Sequence, residues 1–446
     1  MTPHPAVTVA APLLVALSAC GAMLGGPDLP VLADGSSAAD APAATSVDAR
    51  ASADAARGMS IDASLADVST VRDASGARES GASSGSGSSA RPSDARAESG
   101  SGALHDSGAN GDAGVQPDVS TPGFDAGGAT GDGGSAPSCA TEGPGLTNCG
   151  VADESCCASP EVTGGAYDRS YTNQGSGPED AGDPATVTTF RLDKYLVTVG
   201  RFRKFVHDAV ASDAGAGWLP APGSGKHAHL NGGNGLLALG VDAGSYEPGW
   251  LASDDFEVDP TSANLACDPL LSTWTRAVGN NENRPINCVT WQEAYAFCIW
   301  DGGFLPSESE WEYAAAGGAA EREYPWGTTD PGTNNEYAIY GCNYPSGSVA
   351  CLGVTNIAPV GTPAHGAGMY GQLDLSGDAW EWTADWYKGS YESPCHDCAY
   401  LGSTFDRSVR GGNFGLGESY LPPPYRLGAS PTVRSRYMGI RCARTP

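Results

Sequence analysis

Met369-Tyr370-Gly371-Gln372-Leu373-Asp374-Leu375-Ser376-Gly377-Asp378-Ala379-Trp380-Glu381-Trp382-Thr383-Ala384-Asp385-Trp386-Tyr387 carries four aromatics in its last eight residues and three carboxylates in its last ten. An indole is costly to leave in water, and a buried indole N–H needs an acceptor. The run therefore reads as a buried hub, where acidic groups meet indoles, amides or a cation. Two arrangements satisfy it: a packed core with hydrogen-bonded carboxylates, or a cation site.

Around the hub, helix starts are legible. Thr198 caps a segment whose Phe202, Phe205, Val206 and Val210 share one face. Thr290 with Glu293 forms a capping box before Ala294–Trp300, and Ser307 with Glu310 forms another before Trp311–Ala315. Val187–Leu192 and Ser408–Arg410 read as short apolar strands. The long Gly-, Pro- and Asn-rich stretches between them need disulfides or ions to fix them.

The 446 residues carry a net charge of −28, and no basic cluster occurs. That balance excludes nucleic acid and argues against anionic membrane surfaces as electrostatic partners. At the N-terminus, Leu13-Leu14-Val15-Ala16-Leu17-Ser18-Ala19-Cys20 ends an apolar stretch too short to span a bilayer stably. It looks like a bacterial lipoprotein signal over residues 1–20, with a lipid on Cys20 making the membrane contact. A plain secretory signal is the alternative. The expected localisation is exported: an outer-membrane or cell-surface lipoprotein, or the periplasm. Residues 21–138 are dominated by Ala, Ser, Gly and Asp, with Phe124 as the lone aromatic. They cannot bury enough apolar surface to offset ordering, so a disordered tether is expected.

The other twelve cysteines all follow residue 138, which points to disulfides and an oxidising compartment. A Cys-rich lead-in, 139–159, holds Cys139, Cys149, Cys156 and Cys157. The adjacent Cys156 and Cys157 are each expected to bond elsewhere, and zinc is the alternative. Cys342 and Cys351 read as a loop staple, and Cys267 and Cys288 as a pair across a loop. Cys395-His396-Asp397-Cys398 is a C-x-x-C run, either a redox pair or a tight structural disulfide. Its place after Pro394 favours the second. His227-Ala228-His229 is the one close histidine pair, and its surroundings read as loop rather than metal site.

The order of motifs is more specific than any one of them. Phe190-Arg-Leu-Asp-Lys-Tyr-Leu-Val-Thr-Val199 is followed by Arg284-Pro-Ile-Asn-Cys-Val-Thr-Trp-Gln-Glu-Ala-Tyr295. Then come Phe304-Leu-Pro-Ser-Glu-Ser-Glu-Trp-Glu-Tyr-Ala-Ala315, Tyr324-Pro-Trp-Gly327, the hub, Arg410-Gly-Gly-Asn-Phe414 and Gly439-Ile-Arg-Cys-Ala443. Over residues 160–446 the series resembles the sulfatase-modifying factor family, the formylglycine-generating-enzyme domain. The resemblance implies an α+β fold, irregular and loop-rich, related to C-type lectins.

It also implies a test of the chemistry. Family enzymes oxidise a substrate cysteine using copper(I) held by two thiolates, which suit that soft ion. The expected cysteine positions, read without a gap, match Leu416 and Leu421, so copper is not expected. The resemblance further implies a Cys298–Cys442 bond, and a substrate groove near Trp326, Ser419, Tyr420, Tyr425 and Arg426. Structural calcium is implied too, with Asp374, Asp378, Glu381, Asn335, Asn343 and Asn356 as candidate ligands. Family members that are iron enzymes acting on histidine derivatives carry most ligands on a separate helical bundle, and the tether here offers only His105.

The favoured expectation is a lipid-anchored domain lacking the copper-binding pair, diverged to bind a protein, peptide or glycan at the cell envelope. The alternative is an active formylglycine-generating-type oxidase with a relocated metal site. A purely structural envelope protein is the third reading.

Overall fold

Trp380–Trp386, the second half of the hub, forms a strand whose first four residues are all buried. The computed structural model describes residues 136–209 and 217–446; the 1–20 leader with Cys20, the tether as far as residue 135 with His105, and Val210 lie outside them. Among the described residues the helices are α1 (Val199–Ala209), α2 (Trp291–Trp300) and α3 (Glu308–Ala316). The strands are β1 (Glu161–Val162), β2 (Gly165–Asn173), β3 (Pro178–Val187), β4 (Phe190–Leu192), β5 (Leu237–Leu239), β6 (Trp380–Trp386), β7 (Cys395–His396), β8 (Cys398–Tyr400), β9 (Arg407–Arg410), β10 (Arg426–Ala429), β11 (Met438–Gly439) and β12 (Ala443–Arg444). Short elements separated by long irregular connections make this the loop-rich α+β architecture anticipated above.

The central sheet runs β10–β9–β6–β11. Glu381 lies opposite Arg410 and Trp382 opposite Val409, while β11 pairs with β6 in parallel. Successive side chains of a strand leave on opposite faces. Trp380 and Trp382 accordingly join Phe202 and Phe205 of α1 and Phe297 of α2 in the largest apolar cluster. Glu381 points the other way, accepting the Trp311 indole N–H at 2.7 Å. Both capping boxes are present, Thr290 with Glu293 on α2 and Ser307 with Glu310 on α3. α3 stops at Gly317, whose φ of 70° is the left-handed conformation glycine adopts without strain. Thr198 Oγ1 accepts the Arg201 amide at 3.1 Å and opens α1.

Three further sheets bring distant segments together. β4 lies between β1 and β12, so the last strand pairs with the start of the domain. The β2–β3 hairpin carries β7 on its edge, and β5 pairs with β8.

The structure differs from the sequence reading in two places. The strand expected at Val187–Leu192 is broken into β3 and β4, because Asp397 takes both the amide and the hydroxyl of Thr188 and forces a corner. Residues 136–138, assigned by composition to the tether, pack into the domain. The Ser138 amide donates to Asp301 at 2.9 Å and its hydroxyl accepts from Arg201 at 3.1 Å. Arg201 is itself fully buried between Asp193 and Asp301, so one ionic cluster anchors the lead-in to α1.

Candidate functional site

Pro422 and Pro424 form one wall of a cleft of about 360 Å3, faced by Tyr171 and Gln174 of the β2–β3 hairpin region and by Glu323. Of the expected groove residues, Ser419 and Tyr425 line it. Tyr420 packs on Tyr425 with ring centres 4.8 Å apart. Trp326 stacks on Tyr324 beside Leu421, outside this cleft. Arg426 lines a second cleft of about 480 Å3, which shares Tyr171, Thr172 and Pro424 with the first.

The proline wall is held from behind by charge. Arg410 is fully buried and donates to the Pro423 carbonyl at 2.9 Å, to Glu308 at 2.8 Å and to Glu312 at 2.8 Å. Burial would raise Glu308, but Arg426 and Arg410 outweigh it and pull its pKa down to about 2. Burial prevails at Glu312, lifting it to about 7 despite Arg410. The hairpin side of the cleft was not read from the sequence. The alternation of buried Tyr167, Arg169 and Tyr171, followed by Gln174-Gly175-Ser176-Gly177, was the available signal.

Leu416 and Leu421 offer only hydrocarbon. Leu421 is buried with Tyr324 and Tyr340, and Leu416 packs against the main core. Every cysteine among the described residues is in a disulfide: Cys139–Cys157, Cys149–Cys156, Cys267–Cys288, Cys298–Cys442, Cys342–Cys351 and Cys395–Cys398. Cys395 and Cys398 are almost completely buried, which suits a structural bond and shields it from attacking thiolates.

The acidic hub residues divide into two kinds. Glu381 has no free oxygen: Arg441 holds both of its carboxylate atoms, and Trp311 adds a third bond. Asn356 is used up as well, accepting from Leu352 and Gly353 and donating to Tyr344 and Ser348. Those two candidate calcium ligands are corrected on that ground. Asp374 Oδ1, Asp378 Oδ2 and Asn335 Oδ1 are different, being buried without a hydrogen-bond partner. Burial lifts Asp374 to about 6, and burial together with Asp374 pushes Asp378 well above the usual carboxylate range. Asn343 contributes a backbone carbonyl, which accepts from Asn335 at 3.2 Å. Orphaned oxygens on hard donors fit a calcium-type ion, with amide and carbonyl oxygens completing the shell. Among the described residues no group of three His, Cys, Asp or Glu is placed to hold a metal alone.

His227 is also accounted for. Its two ring nitrogens lie 3.0 Å from Glu247 and 3.0 Å from Glu310. Burial disfavours its charge, but Glu310 and Glu247 prevail and raise its pKa to about 10. Both ring nitrogens of His227 are engaged by carboxylates, so it has none free for a metal, while both nitrogens of His229 are buried without a partner.

The profile of the sulfatase-modifying factor enzyme 1-like domain matches residues 154–446. The chain belongs to that family. A formylglycine-generating enzyme of Thermomonospora curvata is 30% identical over 300 residues, covering 64% of this chain and 92% of that protein. The inactive C-alpha-formylglycine-generating enzyme 2 of Bos taurus is 32% identical over 167 residues, 36% of this chain and 50% of its own length. Against several other family relatives the chain spans about half their length. Among solved structures, PvdO from Pseudomonas aeruginosa aligns with 69% of this chain and 100% of its own, at 19% identity and a TM-score of 0.43. Leucines at 416 and 421, and cysteines that are all bridged among the described residues, do not fit a copper thiolate site.

Proposed function

We propose that this chain is a binding member of the sulfatase-modifying factor family, a recognition domain that keeps the scaffold without the copper-dependent oxidation. One observation carries the reading: Leu416 and Leu421 stand at the expected thiol positions while all twelve described cysteines are bridged. A thiolate is both the copper ligand and the group that engages a substrate cysteine, and a leucine supplies neither. The cleft beside Pro422–Tyr425 is apolar and aromatic with a polar rim, as small-ligand and peptide sites are.

The likeness to the Thermomonospora curvata enzyme favours the second reading, an oxidase with a relocated metal. That reading needs metal ligands other than the described cysteines, all of which are bridged.

A structural calcium ion would be held in the hub by Asp374 and Asp378, with Asn335 and the Asn343 carbonyl as a separate pair of candidate oxygens. Export and lipid anchoring through Cys20 are supported by the leader pattern and by six disulfides, which suit an oxidising compartment. Alkylation of the denatured, unreduced protein followed by peptide mass mapping tests the central point. Six bridges and no alkylated cysteine between 139 and 442 are expected; a free pair would contradict the reading.

A further inference from the structure

Arg169 lies mid-way along β2 and is only 4% exposed. A buried guanidinium is ordinarily matched by a carboxylate, because pairing offsets part of its desolvation. Arg201, Arg410 and Arg441 each have one. Arg169 does not. Its Nε donates to the Asp183 carbonyl at 3.0 Å, and its Nη2 to the Glu392 carbonyl at 2.7 Å and to Ser393 at 3.3 Å. These partners are neutral, and Nη1 has none among the described residues. The Asp183 carboxylate is engaged elsewhere, by the hydroxyls of Ser170 and Ser393.

This guanidinium, with one face on the Tyr391 ring at 4.3 Å, lines the second cleft together with Ser170, Thr172 and Ser390. We infer that the second cleft binds the carboxylate of a sugar acid, a uronate-type pyranose, with Arg169 Nη1 as the donor that meets the anion. Three hydrogen bonds already hold the Arg169 side chain in place in the free protein, so an incoming carboxylate gains a charge-assisted hydrogen bond at little ordering cost. The Ser390 hydroxyl, with the oxygens of Ser170 and Thr172 as acceptors while their protons go to Asp183 and Glu179, can meet the hydroxyls of a sugar, which a peptide chain end lacks. Asp180 and Asp183 at the rim disfavour further negative charge, so a polyanion fits less well. A volume of about 480 Å3 lies within the range of small-ligand sites.

The inference rests on the recognition reading only in taking the cleft for a binding site. The test is titration of the whole protein with galacturonate, its neutral methyl ester, galactose and a peptide with a free C-terminal carboxylate. Galacturonate binding is expected, with the ester and galactose weaker by roughly tenfold or more, the worth of one charged hydrogen bond. Arg169→Lys, which keeps charge but loses the planar fork, is expected to weaken galacturonate by about tenfold. Ser390→Trp fills the cleft from an exposed loop and is expected to abolish binding while leaving the melting temperature unchanged. Absence of galacturonate binding, equal binding of the ester, preference for the peptide, or unchanged binding in Ser390→Trp would each overturn the inference. An oxygen-consumption assay reports separately on the oxidase, so the two readings fail independently.

Discussion

Arg441 grips Glu381 through two hydrogen bonds, Nε to Oε2 at 2.8 Å and Nη2 to Oε1 at 2.9 Å, with both side chains buried. The same guanidinium donates to the carbonyls of Asp193, Lys194 and Leu373. One residue of the C-terminal segment therefore fixes the hub, its preceding turn and the start of the domain to one another.

Breaking one partner leaves the other charge buried and unmatched. Glu381→Gln is expected to destabilise the fold by about 3–5 kcal/mol in denaturant unfolding. The double variant Glu381→Leu/Arg441→Met is expected to cost clearly less than the sum of the singles, since apolar replacement removes both charges at once. Simple additivity would show that the pair does not act as a unit.

The Cys298–Cys442 bridge closes a sequence separation of 144 and ties α2 to the C-terminal segment. Replacing both cysteines by alanine is expected to cost about 2–5 kcal/mol, because long loops gain most from closure. Replacing Cys395 and Cys398, separated by 3, is expected to cost less. Paired denaturant curves check the order; the reverse order would contradict it.

His227 predicts a pH dependence. Its pKa rises from an ordinary 6.5 to about 10 in the fold, despite burial, because Glu310 and Glu247 hold its proton. The folded state binds the proton more tightly, so this stabilisation is complete below 6.5 and is lost as pH rises towards about 10. The melting temperature is expected to fall across that window, and His227→Asn to flatten the fall while lowering stability at its acid end. A variant with the same slope as the parent would refute the assignment.

Asp374 and Asp378 predict a calcium effect. Their partnerless oxygens and raised pKa values describe carboxylates that a cation would relieve of protons. Calorimetry is expected to show a higher melting temperature with calcium than with chelator, more so at about pH 7.5 than at about pH 5.5. Asp378→Asn is expected to remove most of the gain. No shift in the parent would exclude the site.

Much of this architecture was legible in the chain because its signals are local. Thr290, Ser307 and Thr198 announce helices by short-range capping chemistry, and the Trp380-Glu381-Trp382 triplet shows two faces with different needs. The β2–β3 hairpin was less legible, since its partly polar strands carry the cleft on one face and Arg169 gives no sign in sequence of being buried. Glu381 and Asp378 look equivalent as carboxylates. Only the fold shows that Arg441, 60 residues beyond, satisfies both oxygens of the first, while the second keeps Oδ2 without a partner.

The central claim is that the inherited oxidation is absent, and turnover tests it most directly. The copper-loaded protein is incubated with oxygen and a cysteine-bearing sulfatase-type peptide, and the peptide is weighed by mass spectrometry. The account predicts that the cysteine survives unchanged; catalytic conversion to the aldehyde would contradict it.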